Sequence, residues 1–310
     1  MTTALQISNL TKDYKTGFFK QRSVRALDGL TLEVRSGQIF GFLGGNGAGK
    51  TTTIKILMGL LHPTTGEAKI LGQDISEIDV HRRLGYCPEN PYFYDYLTPL
   101  ELLNYFGEIF GLNSQKRKER STDLLNAVGL QKSDWNKHLR KFSKGMLQRV
   151  GLAQSLLNDP EIIFLDEPMS GLDPIGRREI RELIAGLRTH GKTVFMSTHI
   201  LSDIESLCDE VAILSRGKLT ATGNLQDLLT SSSDRQGFEV TIANIDNSAL
   251  RSMVLGSFSV NEQASGAIVT CADEGEVEAV ISAARSAGGK LISVQQVKQS
   301  LEDLFTNNHS

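Results

Sequence analysis

A phosphate-binding loop is predicted by the spacing of glycines, a lysine and a threonine in the segment Gly44-Gly45-Asn46-Gly47-Ala48-Gly49-Lys50-Thr51. Glycines let backbone N–H groups surround a phosphate, and a helix that begins behind them adds donors and partial positive charge. We expect Lys50 to reach the β- and γ-phosphates and the Thr51 hydroxyl to bind Mg²⁺. The residues predicted to contact a nucleoside triphosphate here are Gly44, Gly45, Asn46, Gly47, Ala48, Gly49, Lys50, Thr51 and Thr52.

The flanking sequence distinguishes this loop from a glycine-rich turn that only caps a helix. Residues 38–43 have the pattern of a buried strand, and residues 52–57 that of a helix start. A phosphate-binding loop requires this order of strand, loop and helix. The sequence therefore favours binding of a nucleoside triphosphate.

Two adjacent acids, Asp166 and Glu167, follow the apolar run 162–165. At the carboxyl end of a strand, Asp166 would hold Mg²⁺ across the phosphates from Thr51. Because neighbouring side chains at a strand end point in different directions, Glu167 could act on a water as general base, which is worth about 10²–10⁴-fold in rate. The alternative is that both acids cap the turn before Pro168.

A histidine and a turn lie near these acids in the predicted order of elements. His199 follows the strand predicted at 193–196 and would bring an imidazole near the γ-phosphate. On spacing alone, a packed or surface histidine fits this position equally well. The segment Gly171-Leu172-Asp173-Pro174 is a turn that would end the loop after Glu167.

The elements that must position these residues alternate between strands and helices. Strand patterns at 5–7, 31–34 and 68–71 predict an antiparallel edge around the loop. Further on, the apolar strands 162–165 and 193–196 enclose a charged helix over 177–187, which predicts a parallel sheet covered on both faces. A closing hairpin is predicted to turn at Arg216-Gly217.

Three divisions of the chain follow from its composition. A nucleotide-binding domain is predicted over 1–229, with a helical subdomain at about 98–157. The polar, small residues 230–237 predict a linker, and residues 238–310 a small accessory domain.

The accessory domain is predicted to have the order strand, helix, strand, strand, helix, strand, which is consistent with a ferredoxin-like α+β fold. Its first helix face carries Leu250, Met253 and Val254, its second helix ends at Gly288-Gly289, and a last short helix opens at 300–303. Because it offers no cluster of histidines, cysteines or paired carboxylates, an interaction or dimerisation role is favoured over chemistry.

Composition excludes several classes of function for this chain of 310 residues. The 33 basic and 36 acidic residues nearly balance, which gives no global field for nucleic acid. The sequence has no apolar run near the about 20 residues of a membrane span, and its N-terminus does not resemble a secretory signal. The scattered Cys87, Cys208 and Cys271 are expected to be reduced thiols.

Taken in chain order, these residues resemble the ATP-binding subunit of an ABC transporter over about residues 5–225. Residues 44–51 match the Walker A loop, and residues 162–167 match the Walker B strand with the catalytic glutamate. The most specific match is Phe142–Arg149, which resembles the signature segment at the start of a helix. In the family, this segment completes the ATP site of the opposite subunit.

The resemblance assigns roles to individual residues. It implies catalytic roles for Glu167, His199 and Lys50, and Mg²⁺ contacts for Thr51, Asp166 and Glu89. It places Tyr14 on the adenine, where Phe18 and Phe19 could compete. It adds three further contacts to ATP: Ser143, Gly145 and Asp173, the last in a segment that resembles the D-loop, residues 170–173.

The fold implied by the resemblance is an α/β P-loop NTPase (RecA-like) core with an antiparallel β edge and a helical subdomain. Four residues depart from the family pattern, of which Gly45 replaces a proline of the phosphate-binding loop and is expected to have no consequence. Lys144 and Met146 alter the signature, where the Lys144 charge is expected near a phosphate. Glu89 stands where the family has a glutamine that contacts Mg²⁺, and it adds a negative charge there.

These variants, with the C-terminal segment Ser300–Phe305, resemble the ATPase subunits of ABC-2 type exporters. This branch implies a polytopic membrane permease subunit and a homodimer or a paralogous ATPase partner, with no nucleic acid. The chain would then sit peripherally on the cytoplasmic face of the membrane. The aromatic stretch 89–96 would convey motion to the permease, although local packing of the helical subdomain explains it equally well.

Three rival functions fit the sequence less well. A soluble ABC-type ATPase for translation or DNA repair generally carries two ATPase halves, coiled coils or zinc insertions, and the sequence has one loop and none of these insertions. A P-loop kinase would not need the signature segment. A regulator that only binds ATP would not need Glu167.

Overall fold

A computed structural model of the chain describes residues 2–16, 22–225, 227–228, 237–245, 259–263 and 266–297. The chain divides into two units, residues 1–225 and residues 226–310. The predicted linker at 230–237 lies outside the described residues except for Gly237, so its boundaries stay a prediction.

An antiparallel sheet forms the N-terminal part of the first unit. Its strands are β1 (Thr3–Thr16), β2 (Arg22–Arg35), β4 (Thr65–Ile70) and β5 (Gln73–Asp74). They lie in the order β2-β1-β4-β5, and β1 pairs antiparallel with both β2 and β4. The antiparallel edge predicted from the sequence is therefore confirmed.

A second sheet of six strands carries the loops of interest. It contains β3 (Ile39–Gly44), β6 (Leu84–Cys87), β7 (Ile162–Asp166), β8 (Thr193–Thr198), β9 (Glu210–Ser215) and β10 (Lys218–Asn224). The order is β10-β9-β3-β8-β7-β6, in which β10 is antiparallel to β9 and the other neighbours are parallel. Every residue of β3, β7 and β8 is buried, as expected for parallel strands covered on both faces.

An aromatic cluster fills the core beside this sheet. The Phe195 ring on β8 lies with its centroid 5.6 Å from that of Phe40, 5.1 Å from Phe42 and 5.6 Å from Phe164. All four side chains are almost completely buried. Since rings of adjacent strands interlock here, the strands that carry the functional loops are held rigidly relative to each other.

Helices of the first unit are α1 (Lys50–Leu57), α2 (Ile78–His81), α3 (Pro99–Ile109), α4 (Ser114–Ala127), α5 (Lys144–Ser155), α6 (Pro174–Thr189) and α7 (Leu201–Leu207). Two short 3₁₀ helices lie at Lys132–Asp134 and Leu139–Lys141. Sequence signals fix several helix starts. Thr98 and Glu101 form a reciprocal capping box before α3, and the Asn113 side chain caps α4.

The second unit contains an antiparallel sheet and one described helix. Its elements are β11 (Gly237–Ala243), β12 (Ser259–Gln263), β13 (Gly266–Cys271), α8 (Glu274–Ser286) and β14 (Lys290–Val297). The strands lie in the order β12-β13-β11-β14. The apolar face of α8 covers the sheet through its buried residues Val277, Val280 and Ala284.

Two parts of the predicted accessory domain lie outside the described residues. They are the helix face with Leu250, Met253 and Val254, and the last helix at 300–303. The predicted ferredoxin-like topology therefore stays a prediction.

Candidate active site

The register of the parallel strands brings the predicted functional loops to one edge of the sheet. Leu43 pairs with Thr198, Asp166 with Ser197, and Cys87 with Leu165. Because parallel strands end at the same edge, the loops that follow β3, β6, β7 and β8 meet there. Those loops carry Gly44–Thr51, Glu89, Asp166-Glu167 and His199.

Two positions of the loop 44–51, Gly44 and Gly49, leave no room for a side chain. Gly49 has a φ of 110°, and a Cβ there would lie 2.6 Å from the Ala26 carbonyl oxygen. At Gly44 a Cβ would lie 2.8 Å from the Leu214 carbonyl oxygen. Gly45 and Gly47 border open space instead, with no atom within 4 Å of a Cβ position. The loop therefore has a tightly held base and an open cradle in front of the N-terminus of α1.

Lys50, Glu167 and His199 form a contiguous group at this edge. The Lys50 ammonium donates to the Gly44 carbonyl oxygen at 2.6 Å and lies 3.2 Å from Glu167 Oε1. The other carboxylate oxygen of Glu167 lies 2.9 Å from His199 Nδ1. Lys50 and Glu167 are buried, whereas the His199 side chain is 48% exposed. The structure thus brings together the three residues predicted to be catalytic.

Asp166 has a hydrogen-bond partner outside this group. Its Oδ1 accepts a hydrogen bond of 2.5 Å from the Ser197 hydroxyl, and its side chain is buried. Ser197 also accepts from the Glu167 backbone N–H through its hydroxyl oxygen at 3.1 Å. Ser197 is a site residue that was not predicted, although its place just after the predicted strand 193–196 was a usable signal.

The donor set fits a magnesium ion bound with phosphates. Mg²⁺ prefers oxygen ligands and is usually held by one or two carboxylates plus phosphate oxygens. The buried Asp166 carboxylate, the exposed Thr51 hydroxyl at the start of α1 and Glu89, which lies between β6 and α3, would supply such oxygen ligands. Across the described residues, no group of three or more His, Cys, Asp or Glu forms a metal cluster.

Tyr14 lies beside the phosphate-binding loop. Its hydroxyl is 3.4 Å from Thr52 Oγ1, and its side chain is about one-third exposed. The Lys12 ammonium lies 5.5 Å from the centre of the ring, within the range of a cation–π contact. Phe18 and Phe19, the alternative aromatic residues, lie outside the described residues.

The segment predicted to bind an anion opens α5. Ser143 is its N-cap and accepts from the Met146 backbone N–H at 3.3 Å. Gly145 lies in the first helical turn, where backbone N–H groups have no partner within the helix. Helix α5 packs on β6, α3 and α4, whereas α1 packs on β2, β3 and β7. The two predicted phosphate-binding segments are therefore held by different sets of helices and strands.

The segment 170–173, which resembles a D-loop, contacts the start of α5 and the start of α6. Asp173 is the N-cap of α6, and its Oδ1 accepts from the Gly176 backbone N–H at 2.9 Å. The Lys144 ammonium lies 3.4 Å from Ser170 Oγ, and the expected position of its charge beside a phosphate stays a prediction. The aliphatic part of this long side chain covers Gly171, which directs the charge toward the D-loop.

A second residue that the sequence analysis missed is Asp203 on α7. Its carboxylate is 1% exposed and lies 3.4 Å from Arg181 Nε on α6. Burial raises the pKa of Asp203, and the positive charges of Arg177 and Arg181 oppose that shift. Since α7 follows His199 directly, this pair ties the helix after the D-loop to the segment that carries the histidine. A single aspartate on a short helix gives no sequence signal of such burial.

Comparisons with known proteins agree with this geometry. The chain matches a family model described as ABC transporter over residues 27–170. An ABC transporter ATP-binding protein of Synechocystis sp. is 44% identical over 297 residues, which cover 96% of this chain and 82% of that relative. The bacitracin transport ATP-binding protein of Bacillus licheniformis is 44% identical over 222 residues, or 71% of this chain and 69% of the relative.

Solved structures resemble the first unit. A dimeric structure of a bacterial ABC transporter cassette has a TM-score of 0.67 at 26% identity and covers 71% of this chain and 98% of its own. A dimeric post-hydrolysis state of an ATP-binding cassette with ADP and Pi has a TM-score of 0.66 with the same identity and coverage. With its P-loop NTPase fold, this chain belongs to the ABC transporter family, as an ATP-binding subunit that hydrolyses ATP.

Proposed function

We propose that this chain is the ATPase subunit of an ABC-2 type exporter and drives transport by ATP-dependent dimer closure. The signature variants Lys144 and Met146 and the acid Glu89 support the exporter branch. The names of two relatives point the same way: the bacitracin transport protein, and a probable multidrug ABC transporter protein of Escherichia coli that is 38% identical over 234 residues.

The observation that carries the dimer proposal is that the two predicted phosphate-binding segments pack on different elements of one chain. The Walker A loop lies at the end of β3, whereas Ser143 lies exposed at the start of α5, which packs on β6 and the helices α3 and α4. A second subunit can present its Ser143 and Gly145 to the open cradle at Gly45 and Gly47. Two equivalent ATP sites result when two copies, or a copy and a paralogue, meet in this way.

In this proposal each residue at the sheet edge has one task. Lys50 binds the β- and γ-phosphates, Tyr14 packs on the adenine, and Asp173 lies at the interface beside the partner's nucleotide. Thr51, Asp166 and Glu89 hold Mg²⁺, which neutralises phosphate charge when bound. Hydrolysis would remove the γ-phosphate that bridges both subunits, so the dimer would reopen.

Glu167 and His199 act on the attacking water. Glu167 accepts its proton as general base, and His199 holds the carboxylate through the Nδ1–Oε2 contact of 2.9 Å. Binding of a triphosphate would draw the Lys50 ammonium away from Glu167, because its phosphate oxygens compete for the same donor. The carboxylate is then free to accept a proton.

A group of exposed aromatic side chains supports the proposal of a membrane partner. Tyr92 is 97% exposed, and Tyr94 and Tyr96 stack obliquely with ring centres 5.9 Å apart. Tyr105 on α3 meets Tyr94 edge to face at 6.4 Å. Such rings are typical of binding surfaces, and they follow β6 and Glu89 directly.

Among the described residues, no helix is both long and apolar enough to cross a bilayer. The proposed place of this chain is the cytoplasmic face, bound to a polytopic permease subunit.

The first experiment uses a tagged Glu167→Gln chain, which is expected to bind ATP without hydrolysing it. Light scattering with ATP and Mg²⁺ should report a dimer, and a persistent monomer would refute the composite site. The same variant is then captured from detergent-solubilised native membranes and analysed by mass spectrometry. A stoichiometric polytopic protein is the expected companion.

A matched control separates dimer closure from membrane binding. In the Glu167→Gln background, Tyr92→Ser with Tyr94→Ser should keep the ATP-dependent dimer and lose the membrane protein. Recovery of the parent variant only from the soluble fraction, as a dimer without a membrane protein, would favour the alternative function, a soluble ABC-type ATPase.

A further inference from the structure

The Lys144 side chain lies along the D-loop. Its methylene chain covers Gly171, where a Cβ would lie 2.8 Å from Lys144 Cδ and 3.2 Å from Cε. The ammonium then lies 3.4 Å from Ser170 Oγ. Gly171 has a φ of 73°, so glycine both permits this turn and leaves room for the lysine.

Further contacts join the same two segments. A Cβ on Gly145 would lie 3.0 Å from Leu172 Cδ2, so the first turn of α5 approaches the D-loop closely. At the other end of the signature segment, Arg149 Nη2 donates to Glu179 Oε2 on α6 at 2.6 Å. Arg149 Nη1 donates to the Val128 carbonyl oxygen, also at 2.6 Å. Contacts at both ends of the signature segment therefore join it to the segment 170–179.

The D-loop is in turn bonded to the backbone of Glu167. The Ser170 backbone N–H donates to the Glu167 carbonyl oxygen at 3.0 Å. Glu167 itself has a φ of 49°, an unfavourable conformation for a residue other than glycine, so surrounding hydrogen bonds must hold it. Ser170 is one of those supports, together with the bonds from the Glu167 N–H to Ser197.

We propose that Lys144 is a positioning residue for hydrolysis: through Ser170 it fixes the turn that aims the Glu167 carboxylate. A glycine at position 144 could neither cover Gly171 nor reach Ser170. The same contact links the two faces of one subunit, since α5 offers Ser143 to the partner's nucleotide while Glu167 serves the subunit's own nucleotide. The inference rests on the proposed roles of Glu167 and of the composite site.

The competing explanation is that Lys144 acts directly on the phosphates across the dimer interface. The two explanations differ in the kinetic constant that they change. A positioning residue alters kcat with little change in KM, whereas a residue that binds the ground state alters KM. They also differ in whether Ser170 is needed.

The test is steady-state ATP hydrolysis by the full-length chain and its variants. Lys144→Met keeps the aliphatic cover on Gly171 and removes the charge, and Ser170→Ala removes the acceptor. We expect each to lower kcat about tenfold, within the roughly 100-fold that a misplacement of about 1 Å can cost, with KM for ATP changed less than about twofold. The double variant should be no slower than either single variant, because both remove one contact. Lys144→Arg should restore most of the rate.

Controls keep the outcome interpretable. Lys141→Met removes a nearby exposed lysine outside the signature segment and should leave both constants unchanged. Thermal unfolding should show that every variant is folded. Unchanged kcat in Lys144→Met, a raised KM without an effect of Ser170→Ala, or additive losses in the double variant would each overturn the inference. ATP turnover that persists in Glu167→Gln would instead refute the proposed role of Glu167 as general base, independently of the result for the Lys144 variants.

Discussion

At the residue scale, the carboxylate of Glu167 is shared between two neighbours. Oε1 faces the Lys50 ammonium at 3.2 Å, and Oε2 faces His199 Nδ1 at 2.9 Å. Lys50 and Glu167 are both about nine-tenths buried, so their attraction is screened little by solvent. A phosphate that binds Lys50 must compete with this carboxylate.

The first prediction follows from that competition. Glu167→Gln replaces the carboxylate with a neutral amide, so the Lys50 ammonium is left more available to phosphate oxygens. We expect ADP to bind about tenfold more tightly, since a charge-assisted hydrogen bond is worth about 1.5–3 kcal/mol and each 1.4 kcal/mol is about tenfold. Isothermal titration calorimetry measures this, with ADP chosen because it lacks the γ-phosphate that closes the proposed dimer.

The matched control for this measurement is Glu161→Gln. Glu161 pairs with Arg83 at 2.6 Å and precedes β7, at the end of the strand away from Glu167. The substitution Glu161→Gln removes one acidic charge from the same strand region without changing a contact of Lys50, so the affinity for ADP should not change. Equal affinities in all three proteins would show that the Lys50–Glu167 contact does not limit nucleotide binding.

Part of the site is readable from residue types, and part is not. The loop 44–51, the acids Asp166 and Glu167, and His199 have spacings that predict their meeting at one sheet edge. The Asp203–Arg181 pair has no such spacing, because it depends on how α6 and α7 pack. The direction of Lys144 likewise depends on the backbone at Gly171, which its own sequence neighbours do not specify.

At the scale of elements, α5 and β6 approach so closely that one position admits only glycine. A Cβ on Gly85 of β6 would lie 2.1 Å from the Ser155 carbonyl oxygen at the end of α5. The signature helix therefore rests directly on the strand that leads to Glu89. Overpacking of such a contact forces the backbone to shift, and this typically costs about 1–3 kcal/mol.

The second prediction compares two glycine substitutions. Gly85→Ala should lower the free energy of unfolding by about 1–3 kcal/mol through that clash. Gly186→Ala lies in the interior of α6 with no atom within 4 Å of its Cβ position, so it should raise stability by about 0.5–1 kcal/mol. Urea unfolding of both variants checks the signs, and stabilisation by Gly85→Ala would contradict the described contact.

Local sequence predicts most of these elements but not their neighbours. The apolar run 162–165 predicted β7 close to its observed bounds, whereas the helical pattern over about 98–157 gave no separate bounds for α3, whose capping box at Thr98 is seen in the structure. The order β10-β9-β3-β8-β7-β6 could not be read in the same way. Each parallel strand in it is compatible with several neighbours, and packing of the intervening helices decides among them.

At the scale of the whole molecule, surface charges set how stability depends on pH. Hydrogen bonds lower the pKa of several carboxyl groups below their usual values, namely Asp13, Asp28, Asp74, Glu101, Asp159 and Glu161. A carboxyl group whose pKa is lower in the folded chain stabilises that chain above its unfolded pKa of about 4. This contribution is lost as the pH falls through the folded pKa. Asp203, whose pKa burial raises, contributes with the opposite sign.

The third prediction is that the free energy of unfolding decreases as the pH falls from about 6 to about 3. Asp159 contributes through Lys192 at 3.0 Å and Arg120 at 3.2 Å. Because this carboxylate is largely exposed, Asp159→Asn should flatten the dependence by only about 0.2–1 kcal/mol. Urea unfolding across this pH range tests both statements. A free energy that rises on acidification would show that buried groups such as Asp203 dominate.

The central position of β3 also decides when, during synthesis, the chain can first bind nucleotide. Ile39 pairs with Val194 and Phe40 with Glu210, so the strand before the Walker A loop has partners that are translated 155 and 170 residues later. The antiparallel sheet of β1, β2 and β4 needs only the first 70 residues and can form early on the ribosome. A nascent chain that stops before residue 193 contains the entire phosphate-binding sequence but neither of the strands that flank β3. Its apolar β3 therefore stays exposed to chaperones until β8 and β9 have left the exit tunnel.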